Sequence, residues 1–82
     1  MYNLLIRGNT VDAESIQPGC ELNVRVDKPG VESSQGVTFL PDGSMVVIEG
    51  GGDSIGREVR IRVRRVLRTS AGALIYADLC HE

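Results

Sequence analysis

Glu58-Val59-Arg60-Ile61-Arg62-Val63-Arg64 is the stretch that decides the fold. Apolar and charged residues alternate through it. In an extended chain Val59, Ile61 and Val63 face one way and Arg60, Arg62 and Arg64 the other. At Arg64-Arg65-Val66-Leu67 the phase slips, because two arginines are followed by two apolar residues. One extra residue opposite a neighbouring strand, a β-bulge, absorbs such a slip and bends the strand.

The same period of two recurs on both sides. Upstream, Leu22, Val24 and Val26 alternate with polar residues from Glu21 to Asp27, and Lys28-Pro29-Gly30 reads as a turn. Gln35–Leu40 predicts a second strand with Val37 and Phe39 on one side. Pro41-Asp42-Gly43 is a turn, since Pro presets φ and Gly accepts a positive φ. Ser44–Glu49, rich in β-branched residues, predicts the third strand and completes a hairpin. Gly50-Gly51-Gly52 ends it and reads as a flexible loop. The crossover Asp53–Arg57 has room for one helical turn. Beyond the arginine-rich strand, Thr69–Gly72 is a turn and Ala73–Leu79 a fifth strand. Windows of ~11 residues show no i, i+3, i+4 pattern, so a helical fold is set aside. The fold class is all-β, a small five-stranded OB-like barrel, with an SH3-like barrel as the alternative. Residues 1–18 form an N-terminal segment or linker, with a weak helix over Val11–Gln17. The barrel runs over 19–80, and 81–82 is a tail.

Composition narrows the function. The chain has 82 residues, 41% hydrophobic and 24% charged, which fits one folded domain. Nine Lys+Arg against eleven Asp+Glu exclude a uniformly basic nucleic-acid binder. The charge is uneven, however. Up to Asp53 there are three basic residues against eight acidic, and after it six against three. Those six are all arginine: Arg57, Arg60, Arg62, Arg64, Arg65 and Arg68. Guanidinium groups are planar, forked donors that suit phosphate and stack on bases. On a strand, alternate residues lie ~6.6–6.8 Å apart, so Arg60, Arg62 and Arg64 make a regular cationic row that the other three extend. The plainer account is a solvated face paired with acids such as Glu21, Asp27, Glu49 or Asp78.

Other chemistries find little support. No apolar run reaches the ~20 residues of a membrane span. Met1–Arg7 is too short and weakly basic for a signal peptide, so a cytoplasmic, reducing location is expected. Cys20 and Cys80 then read as free thiols, and the lone Cys80-His81 pair is too few ligands for zinc. The glycine run lacks the spacing and lysine of a phosphate loop. The hydroxyls Ser44, Ser54 and Ser70 have no histidine base except His81, so no enzyme, cofactor or metal is expected. Stacking rings are scarce, with Tyr2, Phe39 and Tyr76 alone. By alternation Phe39 shares a face with Val37, and Tyr76 with Leu74, which predicts a core Phe39 and a half-buried Tyr76.

Taken together, Gln35-Gly36-Val37-Thr38-Phe39-Leu40-Pro41-Asp42-Gly43-Ser44-Met45-Val46-Val47, then Ile55-Gly56, then Val66-Leu67-Arg68-Thr69-Ser70-Ala71-Gly72 resemble a TRAM domain. They are most similar to the C-terminal TRAM domain of bacterial PIN/TRAM membrane proteins. The resemblance covers roughly Pro18 to Leu79. It implies a five-stranded OB-like barrel that binds RNA, tRNA and other structured RNA included, and that in other proteins delivers RNA to an attached modifying domain. Thr38-Phe39 stand where the family pattern has a small or polar residue and then an aromatic, which brings Phe39 into the candidate site. The PIN nuclease domain, its acidic metal cluster and the membrane helices of those proteins have no counterpart in these residues. The expected function is a non-catalytic module that binds RNA or single-stranded nucleic acid through an arginine-lined strand face. The alternative is a protein-interaction module that docks an acidic partner, a PIN nuclease or an RNA-modifying domain.

Overall fold

The computed structural model describes residues 16–80, together with the backbone of a small hairpin in which β1 (Leu5–Ile6) pairs with β2 (Asn9–Thr10). The weak helix expected over Val11–Gln17 lies outside the described residues up to position 15; Ile16 and Gln17 are not helical. Six further strands form one sheet: β3 (Glu21–Arg25), β4 (Lys28–Pro29), β5 (Gln35–Phe39), β6 (Met45–Glu49), β7 (Glu58–Thr69) and β8 (Gly72–Leu79). Their order is β3-β7-β8-β6-β5-β4, antiparallel throughout except for the parallel β6–β8 pair.

The two ends of that order, β3 and β4, are consecutive in the chain, and the joint between them curls the sheet into a barrel. The Val26 N–H donates to the Arg57 carbonyl at 3.0 Å, on the β7 side. The next residue, Asp27, donates its N–H to the Val37 carbonyl at 2.9 Å, on the β5 side. One continuous strand thus changes partners between adjacent residues. Counting β3 and β4 as that one strand, the molecule is the five-stranded OB-like barrel, not the SH3-like alternative. Lys28-Pro29, expected as a turn, is instead the second half of this strand. Pro29 is tolerated there because β4 is short and exposed.

Alternation fills the interior. Val24, Val26, Val46, Ile48, Ile61 and Ile75 are fully buried in one cluster. Ile16, assigned by sequence to the N-terminal segment, is buried in the same cluster. The phase slip in β7 is a register shift between Val63 and Arg65 against β8. Val63 pairs with Ala77 and Val66 with Ile75, so a spacing of three still places both valines on the core side. The Pro41-Asp42-Gly43 turn forms as expected. The Gly43 N–H donates to the Leu40 carbonyl at 2.9 Å, Gly43 has φ 89, and the Asp42 carboxylate accepts the Ser44 N–H.

Two further sequence expectations are corrected. Phe39 does not point inward. Thr38 pairs with Val46 and Gly36 with Ile48, so the inward positions of β5 are Gly36, Thr38 and then Leu40. Val37 is buried from the other side, beside its β4 partner Lys28. Alternation assigned these faces by apolarity and therefore reversed them. Nor is Gly50-Gly51-Gly52 a flexible loop. Residues Gly51–Asp53 form a 3-10 turn with Gly51 buried, and the N–H groups of Gly50 and Gly52 both donate to the Ser34 carbonyl, at 3.0 and 3.1 Å.

Candidate nucleic-acid interface

Residues opposite one another across a sheet share a face, so the register sorts the outer surface of β5, β6, β8 and β7 into three rows about 6.6–6.8 Å apart. The pair Arg60 and Asn23 lies beyond them on β7 and β3. Phe39, Met45, Leu74 and Leu67 form an apolar row across β5, β6, β8 and β7. Lys28, Val37, Val47, Tyr76 and Arg65 form the next. Gln35, Glu49, Asp78, Arg62 and Glu21 form a third, which is polar throughout.

The polar row binds itself together. The Gln35 amide donates to Glu49 at 2.6 Å. Arg62 contacts one oxygen of Glu21 through both Nη2, at 2.7 Å, and Nε, at 3.3 Å. Arg60 Nη1 lies 3.9 Å from the other oxygen of Glu21, and Arg64 Nη2 lies 3.4 Å from Asp78. The hydrogen bond and charge of Arg62 hold the Glu21 carboxyl below its usual range, with a smaller push from Arg60; Glu21 in turn raises Arg62. Three of the six arginines therefore already face carboxylates of neighbouring strands.

The remaining three diverge. Arg65, displaced by the bulge, pairs with Tyr76 across β7–β8 and makes no ion pair among the described residues. With Arg64, Leu67 and Tyr76 it lines a surface hollow of ≈ 320 Å³. Arg57 precedes β7, is exposed, and likewise makes no ion pair among the described residues. Arg68 has the opposite parity, opposite Ala73, and its Nη2 donates to the Ile16 carbonyl at 3.2 Å across the barrel end. The structure thus brings Arg60, Arg62, Arg64 and Arg65 onto one outer face and turns Arg68 away from it.

Phe39 joins that face. It is 43% exposed and pairs with Met45, and the Lys28 ammonium sits 5.1 Å from its ring centre. That distance is within the ≈ 6 Å range of a cation–π contact. Tyr76 is half-buried on the same face, as alternation predicts, and Leu67 is 36% exposed. Sequence reasoning missed Lys28, Met45 and Leu67. The signal for Lys28 was its place at the end of an alternating run, overridden by the adjacent Pro29-Gly30.

Of the candidate hydroxyls, Ser44 serves the fold. The buried Ser44 hydroxyl accepts the Ala73 N–H at 3.0 Å, and the Thr69 hydroxyl donates to the Gly72 carbonyl. Among the described residues no three His, Cys, Asp or Glu side chains converge on a metal position, and Cys20 and Cys80 are free thiols. His81 lies outside the described residues. No helix of the described residues is long and apolar enough to cross a membrane.

Comparison with known proteins converges on one family. The family model of the TRAM domain matches residues 16–75. A PIN and TRAM-domain containing protein of Bacillus subtilis, YacL, is 47% identical over 62 residues, 76% of this chain and 17% of its own length. The Synechocystis PIN and TRAM-domain containing protein slr1972 is 47% identical over 60 residues, 73% of this chain and 17% of its own. A Thermus thermophilus protein from the scsB 5' region is 40% identical over 62 residues, 76% of this chain and 67% of its own. The match with the first two spans about a sixth of their length, and their PIN parts lie outside it. No solved structure matches.

Proposed function

The chain belongs to the TRAM domain family, a non-catalytic, generally nucleic-acid-binding type of domain, and we propose that it binds single-stranded or loop segments of RNA across the outer face of β5, β6, β8 and the bulged half of β7. One observation carries this reading. An exposed aromatic ring, Phe39, shares its sheet face with a lysine, a tyrosine and an arginine, Arg65, that has no carboxylate partner among the described residues. Base stacking on such rings contributes about 1–3 kcal/mol per base and needs bases that are not already stacked in a duplex. Arg65 and Lys28 supply cations beside the rings. Arg57, Arg60, Arg62 and Arg64 track the phosphates, while Arg68, turned to the barrel end and bonded to the Ile16 carbonyl, stays outside the surface. Loops of tRNA or other structured RNA present such unstacked bases. In a longer chain of the PIN and TRAM-domain type, the barrel would hold RNA for a nuclease or RNA-modifying domain, in the cytoplasm.

A second reading, docking of a protein partner, is favoured by the apolar row Phe39-Met45-Leu74-Leu67 and by the ion-paired state of Arg60, Arg62 and Arg64. A titration separates the two. Against labelled tRNA and a labelled single-stranded RNA at two salt concentrations, three to six phosphate contacts predict a log–log salt slope of about −2 to −4. Arg60→Gln with Arg62→Gln should make that slope shallower by about 1.4 while the thermal midpoint moves little, because neither change sets a like charge opposite Glu21. Absence of binding at low salt by the folded protein would refute the RNA reading and leave the protein partner.

A further inference from the structure

The donor edge of Arg62 that would grip a phosphate is already filled. Nε and Nη2 converge on one oxygen of Glu21, whose other oxygen faces Arg60. Two oxygens on one carbon, set before guanidinium groups, imitate two oxygens of a phosphate. Glu21 is carried by β3 and the arginines by β7, and the pairing Glu21↔Arg62 fixes them opposite each other. All three side chains are open to water, 38% exposed for Glu21, 56% for Arg60 and 64% for Arg62. Ion pairs this exposed contribute little to stability, so the carboxylate is replaceable by a stronger anion.

We propose that Glu21 is an internal competitor of the nucleic-acid backbone: a phosphate engages Arg60 and Arg62 by displacing this carboxylate, and Glu21 thereby sets the affinity of the interface. The inference rests on the RNA reading above. It assigns a role to a residue of the opposite charge to the ligand, on a strand outside the stacking face. Asp78 stands in the same relation to Arg64, at 3.4 Å, with a single contact. The competitor keeps the row from attracting any anion indiscriminately, since one carboxylate occupies two guanidinium groups and cancels half their charge until a chain of phosphates arrives.

The test compares the parent with Glu21→Gln and Glu32→Gln. Both variants remove one negative charge. Glu32 is exposed on the loop between β4 and β5 and makes no ion pair among the described residues. Each protein is titrated with a labelled single-stranded RNA oligonucleotide at two salt concentrations, and its thermal unfolding is recorded. Glu21→Gln is expected to bind about three- to fivefold tighter at low salt, with a slope steeper by about 0.7 to 1.4, while Glu32→Gln stays within about twofold of the parent. If Glu21→Gln gains no more than Glu32→Gln although the parent binds, the competitor role is overturned and the RNA reading stands. If none of the three binds RNA while each unfolds cooperatively, both fall together.

Discussion

Truncation of Phe39 separates a functional ring from a structural one. Phe39 was expected in the core, where its loss would cost about 3–5 kcal/mol. In the structure it is 43% exposed, on the outer face beside Met45 and beneath Lys28. A Phe side chain taken fully from water contributes about 1.5–3 kcal/mol, so roughly half of that is at stake here. Loss of the exposed cation–π contact adds about 0.5–1 kcal/mol. Phe39→Ala should therefore destabilise by about 1.3–2.5 kcal/mol, and each kcal/mol lowers the midpoint of a domain this size by about 4–8 °C. If a base stacks on the ring, binding loses a further about 1–3 kcal/mol, or about five- to 150-fold in Kd. Phe39→Leu keeps most of the apolar contact and removes the flat π face. It should melt about 2–8 °C below the parent, through the lost cation–π contact alone, yet bind RNA as weakly as Phe39→Ala. Fluorescence anisotropy with a single-stranded oligonucleotide, paired with thermal melts, reads both quantities. Binding by both variants within about twofold of the parent would refute the stacking role of this face.

Two further outcomes test the framework and its charges. At Gly36 an added Cβ would stand 2.5 Å from Val26 Cγ1 and 2.9 Å from the Gly51 carbonyl oxygen. Gly36→Ala should thus cost about 1–3 kcal/mol by overpacking, seen as a lower urea midpoint at unchanged slope. The lowered Glu21 carboxyl makes its ion pair pH-dependent. Its contribution to stability is present above the ordinary value of 4.5 and is lost as pH falls through the depressed folded-state value. The midpoint difference between parent and Glu21→Gln should be largest near neutrality and close on the acid side. A constant gap across that range would show that the pair contributes nothing through its charge.

Much of the barrel was legible in local periodicity. Leu22, Val24 and Val26, then Val59, Ile61 and Val63, alternate with polar residues and are inward-facing because one face of each strand is covered. The slip at Arg64-Arg65 announced the bulge, since two valines three apart reach one face only if a residue is inserted between them. Pro41-Asp42-Gly43 carried its own turn chemistry. What alternation could not decide was which face of β5 is the inner one. Both parities hold residues compatible with burial, and the choice follows from Val46 and Ile48 opposite and from the space that admits only Gly36 beside Val26. That choice exposes Phe39.

The tertiary structure alone also decided the state of the arginines. Six of them within one stretch of sequence announced a cationic strip. Glu21, 41 residues away from Arg62 in the chain, shows that part of the strip is paired, because β3 lies beside β7. The change of partners between Val26 and Asp27 is hidden in the same way, being a matter of which strands meet on either side of one continuous run. Periodicity is a property of neighbours along the chain, so sequence by itself determined the alternating strands, the Pro41-Asp42-Gly43 turn and the bulge. Faces, ion pairs and closure depend on neighbours across the sheet, which exist only once the chain has folded.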